Sequence, residues 1–424
     1  MKRFTLWFLV AFLPIVAIVI WATSPENSAQ GFASISSLLR LAAMIGLSIL
    51  LAQYVLTSRA KIIEGSIGQD SLFGYHRWVG RAALSFLFLH FLLLGYRDLA
   101  SGAGLTLTPG RITGFAILTL LTLTAVSASF HEKLELKYEW WKGPHLTNYL
   151  AFPLVFLHLA NVAAPGSNVA YLYFPLLAIF AVLVAHRFVG LYRVRRNRYR
   201  VSAVISEAEG IWTLRFDGPE MDYKAGQFMH LQLLRDGNLS SSHPFTISSS
   251  PTDPYLSVTP KEDGDFTATV GDTEEGDVAY IDAPYGVFSY LNHEPADRLV
   301  FLAGGIGMTP FMSMLRYMRE REPDRDVVLL WGNRSEEVTP FLEELEDIAG
   351  DMVHFGYHVI MSAQSDWPGE RGRIDREMIE RYVGELDLGH FYVCGPPPML
   401  RSMLDHLREL GIPGERIHYE LFEL

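Results

Sequence analysis

Nearly every long apolar run in this chain falls before residue 196. Residues 1–196 carry 16 Lys/Arg against 7 Asp/Glu, a net of +9; residues 197–424 carry 19 against 40, a net of −21. The two sum to the overall −12, so the whole-chain charge describes neither half. A membrane-embedded first half and an acidic, water-facing second half are therefore expected. The acidic half argues against nucleic acid as a partner.

Six hydrophobic segments predict membrane-crossing helices, at about 4–22, 33–57, 75–96, 112–130, 145–163 and 168–190. Lys2 and Arg3 before the first run resemble the start of a signal peptide. No A-x-A-like site follows and the run is long enough to span, so it reads as an uncleaved anchor. Lys2/Arg3, Arg59/Lys61, Lys133/Lys137/Lys142 and Arg193/Arg195/Arg196 then fall on one side, which the positive-inside rule makes cytoplasmic. Both termini are predicted on that side, in a bacterial-type plasma membrane, with lipid as the surrounding partner.

Within these segments histidines come in two pairs. His76 and His90 are 14 residues apart on the third segment, and His145 and His158 are 13 apart on the fifth. On a helix either spacing spans roughly 20 Å, about two-thirds of a bilayer core. Both helices run outward, so the residues sharing a depth are His76 with His145 and His90 with His158. Intramembrane histidines also serve as interhelical hydrogen-bonders. Four at matched depths favour the costlier, functional role, as axial ligands to two stacked haems. The single cysteine, Cys394, leaves no CxxCH attachment, so such haems are b-type. Arg40 lies about 7 residues into the second segment, roughly 10 Å deep and near the level of His90 and His158. A guanidinium there needs an anion, either an outer-haem propionate or a reduced oxygen species, unless it snorkels to the headgroups.

After Arg193–Arg200 the pattern changes. Six short alternating segments between Tyr199 and Asp282, punctuated by Gly and Pro, predict a small antiparallel barrel. From Leu299 onward strands and helices alternate, which predicts an open parallel α/β sheet. The domains are accordingly placed at 1–196, 197–296 and 297–424. The turn Gly304-Gly305-Ile306-Gly307-Met308-Thr309-Pro310, between a strand and a helix, offers bare backbone and free N–H groups to a pyrophosphate. A second turn, Cys394-Gly395-Pro396-Pro397-Pro398-Met399, faces the same crevice. In the barrel, His243-Pro244-Phe245-Thr246 offers an aromatic and a hydroxyl to a flavin ring. A proline-started strand with a core Phe reads equally well.

Together these residues resemble the NADPH oxidase and ferric reductase family, over nearly the whole chain. The matching elements are the histidine spacings, Tyr138-Glu139-Trp140 before His145, His243-Pro-Phe-Thr246, Gly264-Asp-Phe-Thr267, Gly304 to Phe311, Cys394 to Met399, and the aromatic Phe422 near the end. The resemblance implies a six-helix transmembrane di-haem bundle followed by a ferredoxin–NADP reductase-like module. It further implies that His243, Pro244, Phe245 and Thr246 hold FAD, with Lys261 and Thr267 near its phosphates. Gly304, Gly305, Gly307 and Thr309 would cradle NADPH or NADH. Cys394 and Gly395 would lie beside the nicotinamide, with Glu420 a candidate helper, and Phe422 would cover the flavin. Arg334 and Arg373 are candidates for a ribose 2′-phosphate. Glu423 and Leu424 extend past the aromatic on which other members end.

The expected activity is a transmembrane NAD(P)H oxidase. Electrons would pass from cytosolic NAD(P)H through FAD and two b-type haems to extracytoplasmic dioxygen, forming superoxide, with Thr246, Cys394, Phe422 and Arg40 closest to the chemistry. Two alternatives stay open: a ferric or cupric chelate reductase, and a haem protein feeding a partner. The sequence carries no EF-hand loop ahead of the membrane half and no long insertion in the dehydrogenase half. An enzyme independent of calcium and of a cytosolic activator is expected on that ground.

Overall fold

A computed structural model describes residues 2–102, 104, 106–131, 133–135, 138–162 and 168–420. The chain divides into two compact units, Met1–Gly190 and Leu191–Leu424.

The first unit is helical: α1 (Lys2–Ala22), α2 (Pro25–Gln30), α3 (Ile35–Leu56), α4 (Lys61–Ile67), α5 (Gln69–Ala100), α6 (Pro109–Phe130), α7 (Tyr138–Leu146), α8 (Ala151–Val162) and α9 (Asn168–Arg196), the last running on into the second unit. Among the described residues, α3, α5, α6 and α9 are long and apolar enough to cross a membrane. Their starts follow from local chemistry. Ser34 caps α3 by accepting from the Ser37 N–H, and Thr108 caps α6 ahead of Pro109 by accepting from the Arg111 N–H. The α3 helix is central, with Met44, Leu47, Leu51 and Tyr54 buried in the core. Gly46 lets it meet α5, since a Cβ there would stand 3.0 Å from Leu87 Cδ2.

One segment differs from expectation. The expected span 145–163, described as far as residue 162, is not a single helix: His145 lies in the last turn of α7, a 3₁₀ turn covers Thr147–Leu150, and His158 lies on α8. Pro153 has no N–H for the Tyr149 carbonyl and its ring crowds that turn, so the α-helical ladder is interrupted there. Asn148 within the turn gives its backbone O to Tyr54 Oη at 2.6 Å and its side-chain O to Thr124 Oγ1 at 2.7 Å. The break is thus tied to α3 and α6.

The second unit opens with strands β1 (Arg198–Ala208), β2 (Ile211–Asp217), β3 (Phe228–Arg235), β4 (Asn238–Leu239), β5 (His243–Thr246), β6 (Leu256–Val258) and β7 (Val278–Tyr285). They form one antiparallel sheet in the order β4-β3-β7-β1-β2-β6, with β5 also on β3. The bridge Ile247↔Val258 joins the end of β5 to β6 and closes the barrel. Leu214, Met229, Leu231, Leu233, Ile247 and Val258 fill it. The strand beyond the six expected is β4, reached through Asp236 and Gly237, both at positive φ as a two-residue hairpin requires.

There follow β8 (Arg298–Gly304), α10 (Thr309–Arg321), β9 (Asp326–Asn333), α11 (Leu342–Asp351), β10 (Phe355–Met361), β11 (Glu370–Arg371), α12 (Arg376–Val383), β12 (Gly389–Cys394), α13 (Pro397–Glu409) and β13 (Ile417–Glu420). The sheet is parallel, in the order β11-β10-β9-β8-β12-β13. Alternate residues of β8 serve opposite faces: Leu299, Phe301 and Ala303 pack on one core, Val300 and Leu302 on the other. The chain leaves β8 toward β9 and returns to its other side as β12. That reversal opens a crevice at the carboxyl ends of β8 and β12.

Candidate functional site

In the helical unit the structure brings the four histidines together as two pairs. The rings of His76 and His145 lie with centres 6.0 Å apart at 74°, and those of His90 and His158 lie 6.3 Å apart at 86°. All four are half-buried. Three rest Nδ1 on a backbone carbonyl: His90 on Leu39 O at 3.0 Å, His145 on Thr124 O at 3.4 Å and His158 on Gly110 O at 2.7 Å. His76 Nδ1 faces the side-chain amide of Gln53 instead, at 2.8 Å. With Nδ1 on a carbonyl oxygen, Nε2 of His90, His145 and His158 is left for a ligand.

Two glycines of α6 make the slot for His158, and sequence reasoning missed both. Gly110 provides the carbonyl, and a Cβ on Gly114 would lie 2.8 Å from His158 Cε1. Their signal was the small-xxx-small spacing in an apolar helix. Gly80, one turn after His76, makes room for Gln53; a Cβ there would come within 3.3 Å of that amide. Arg40 is half-buried and held by neutral acceptors, Nε donating to Asn27 Oδ1 and Nη2 to Gln30 Oε1, both at 2.8 Å. Asn27 is itself buried and donates to Trp21 O at 2.8 Å. Among the described residues no carboxylate pairs with Arg40, and its side-chain partners there are neutral amides.

In the barrel, β5 carries His243, Pro244, Phe245 and Thr246 beside β3, with Thr246 opposite Phe228. The His243 ring stacks on Phe266 at 4.2 Å and 14°, and Phe245 lies 6.0 Å from the same ring. Thr267 spends its hydroxyl on the turn, accepting from the Asp263 N–H at 2.8 Å. Lys261 is exposed and opposite Ile211. Two residues not singled out from sequence complete this face. Arg235 donates to Thr269 Oγ1 at 2.8 Å and lies 5.9 Å from the Phe266 ring. Both Arg235 and Thr269 line a cleft of about 370 Å³ with Leu233, Ser240 and Asp272.

The two turns of the α/β sheet interlock. A Cβ on Gly395 would stand 3.1 Å from Gly304 Cα, and one on Gly307 would stand 2.5 Å from Cys394 O. Gly304 and Gly307 are therefore required for the turns to pack on each other. Gly305 is different: it sits at φ +52 with nothing within 4 Å of a Cβ, so it is the glycine with open space before it. Trp331 Nε1 fixes this turn by donating to Gly305 O at 2.9 Å, and Thr309 donates to Ile306 O at 3.1 Å.

Cys394 is fully buried, in register with Ala303 on one side and Glu420 on the other. Glu420 is buried near Gly286, whose Cβ would lie 3.3 Å from its Oε1. Asn333, Met361 and Arg371 share a register across β9, β10 and β11. Arg334 and Arg373 are thus one and two residues past the same line, at the carboxyl edge, and both are exposed. Phe422, Glu423 and Leu424 lie outside the described residues.

The α10 helix, which starts at the glycine turn, also holds the segment after β5. Ser313 Oγ donates to Ser249 O at 2.6 Å, and Arg316 reaches Ser248 O at 2.5 Å while paired with Glu344 at 2.6 Å. Tyr223 donates to the same Ser249 O at 3.1 Å, and burial pushes its phenol well above the usual range, keeping it a donor. One helix therefore ties the glycine turn to the strand bearing His243–Thr246.

With this geometry in hand, three family matches divide the chain. Residues 42–156 match the ferric reductase-like transmembrane component, 197–288 an FAD-binding domain, and 301–405 an oxidoreductase NAD-binding domain. The glycine betaine monooxygenase reductase subunit of Pseudomonas aeruginosa is 32% identical over 237 residues, covering 54% of this chain and 64% of that protein. The flavohemoprotein of Bacillus subtilis is 28% identical over 211 residues, 48% of this chain and 52% of its own length. The chain thus spans less than two-thirds of either relative. A flavohemoglobin from Malassezia yamatoensis superposes with TM-score 0.51 at 19% identity, over 92% of this chain and 97% of that one, a likeness of fold alone. An integral membrane oxidoreductase using FAD and NAD(P)H follows from the three matches and the apolar helices.

Proposed function

The chain has the NADPH oxidase and ferric reductase-like architecture, and from that premise we propose a transmembrane NAD(P)H oxidase. It carries electrons from cytosolic NAD(P)H through FAD and two b-type haems to dioxygen on the opposite side, forming superoxide. Six spans and two cytoplasmic termini are part of this reading.

The observation that carries it is the pair of imidazole pairs. Two imidazoles bonded through Nε2 to one metal at about 2 Å each put their ring centres roughly 6 Å apart, against 6.0 and 6.3 Å here. Each pair offers two ligands, and no group of three or more His, Cys, Asp or Glu able to hold a metal occurs among the described residues. A pair of imidazoles would suit a metal that brings the rest of its ligands with it, as haem iron does. His76 with His145, and His90 with His158, would hold the two groups, which supply one-electron transfer when bound.

The remaining roles belong to the chain's own atoms. Gly305 opens the turn to the dinucleotide phosphates, and Gly304, Gly307 and Gly395 keep the two turns close. Thr309 supports the turn through Ile306 O. Cys394 and Glu420, in register, border the nicotinamide end of the crevice. His243, Pro244, Phe245 and Thr246 orient FAD, with Lys261, Thr267 and Arg235 on its phosphate side. Phe422 covers the flavin. Arg40, held by Asn27 and Gln30, presents its positive charge to the anion formed at the outer pair.

The test is NADPH oxidation by detergent-purified, FAD- and haem-loaded protein, followed by cytochrome c reduction with and without superoxide dismutase. A dismutase-sensitive signal is expected. A dismutase-insensitive one moves the acceptor to a metal chelate or a partner protein.

A further inference from the structure

Of the four paired histidines, His76 alone rests its Nδ1 on a side chain. That side chain, Gln53 on α3, is buried at 8% exposure. With its nitrogen turned toward His76, the amide donates to His76 Nδ1 at 2.8 Å and to His76 O at 2.9 Å, while its oxygen accepts from the Gly80 N–H at 3.0 Å. A polar amide in an apolar helix is costly unless satisfied, and here α5 satisfies it in full. Gly80 keeps the space open, since a Cβ there would stand 3.3 Å from the amide.

A helix carbonyl can only accept; an amide can present either end. An imidazole that ligates through Nε2 carries its proton on Nδ1, and the partner must then be an oxygen. We propose that Gln53 is the positioning residue of the inner histidine pair. Its amide turns oxygen-first to His76 Nδ1 when His76 is a ligand, exchanging its bonds to His76 O and from the Gly80 N–H for one from Nδ1–H, and that bond sets the donor strength of His76 independently of the other three histidines. The inference rests on the haem reading above. Accepting from Nδ1–H makes the imidazole a stronger donor and favours the oxidised metal. Removing the acceptor should therefore raise one midpoint potential and leave the other in place.

The experiment is a spectroscopic redox titration of the full-length, haem-loaded protein, with low-spin electron paramagnetic resonance of the oxidised state. Gln53→Leu keeps the shape and removes both polar ends. Expected is a positive shift of one of the two haem midpoints with a changed g-value for that haem only, at unchanged haem content. Gln53→Glu, which keeps an oxygen toward Nδ1, should move the same midpoint the other way. If Gln53→Leu accumulates without haem, Gly80→Ala takes its place, crowding the amide without deleting it, and the same single midpoint should move. Two unmoved midpoints, or equal movement of both, overturn the assignment. A wild-type protein that binds no haem sinks the parent reading, and this inference with it.

Discussion

Gly114 and His158 are in contact so close that no larger residue fits: a Cβ on Gly114 would lie 2.8 Å from Cε1 and 2.9 Å from Nδ1 of the histidine. Gly110, one turn earlier on the same helix, holds the same edge of the ring through its carbonyl at 2.7 Å from Nδ1, so moving the ring away breaks that bond. Gly114→Ala should displace His158 and abolish haem binding at the His90–His158 pair. The expected result is about half the wild-type haem per chain, with NAD(P)H-to-FAD reduction unchanged. Full haem content in the variant would show that the slot is not needed.

Arg40 gives a second prediction. Its two acceptors are amide oxygens, which orient the guanidinium without cancelling its charge. Arg40→Ala should reduce superoxide formation on the order of tenfold, about 1.4 kcal/mol of barrier, and leave flavin reduction intact. Asn27→Asp, which puts a carboxylate on Arg40 Nε, should mimic part of that loss. Stopped-flow flavin reduction beside steady-state oxygen uptake separates the two steps. Equal loss in both would assign Arg40 a purely structural part.

Gly305 gives a third. At φ +52 a non-glycine residue costs about 1–2 kcal/mol, and any side chain there enters the open space before the turn. Gly305→Val should raise KM for NAD(P)H by at least about tenfold, with FAD content unchanged. A wild-type KM would mean that the dinucleotide does not pass this turn.

Arg334 and Arg373 stand past the same edge of the sheet, and neither pairs with a carboxylate among the described residues. If they read a 2′-phosphate, Arg334→Ala with Arg373→Ala should raise KM for NADPH and leave KM for NADH in place. Parallel kinetics with both nucleotides check this. Equal effects on both would remove the two arginines from nucleotide selection.

The α/β domain also has an acid limit. His358 stacks on Tyr382 at 3.6 Å, and burial holds its pKa below the usual value of 6.5; burial, then Arg416, does the same for His390. A histidine pKa depressed by folding favours the neutral ring, so its contribution is full above 6.5 and is lost as pH falls below it. The melting temperature should drop between pH 7.5 and 5.5, and His358→Gln should reduce the drop. A drop of the same size in the variant would place the effect elsewhere.

The two-part plan of the chain was legible because charge and hydropathy change together near residue 196, and the histidine pairs because ionisable groups are rare in apolar segments. The crevice was legible as well, since glycines at strand–helix turns carry a backbone requirement. What stayed hidden depends on who neighbours whom. Gln53 has no periodicity to mark it as the partner of His76, which is 23 residues away. The separate tasks of Gly304, Gly305 and Gly307 emerge only when the second turn is laid against the first. The turn at Thr147–Leu150 follows from Pro153, whose effect an apolar run conceals. Strand β4 has two residues and its signal was only Asp236-Gly237, while α11 and α12 lie in acidic stretches without a long apolar run.

The most direct test of the account is the haem stoichiometry of the purified wild-type chain, by pyridine haemochrome against protein mass, with the reduced and oxidised spectra. Two haems per chain, both low-spin with bis-histidine spectra, are predicted, falling to about one in His90→Ala or His158→Ala. No haem, or a single haem insensitive to those substitutions, would contradict it.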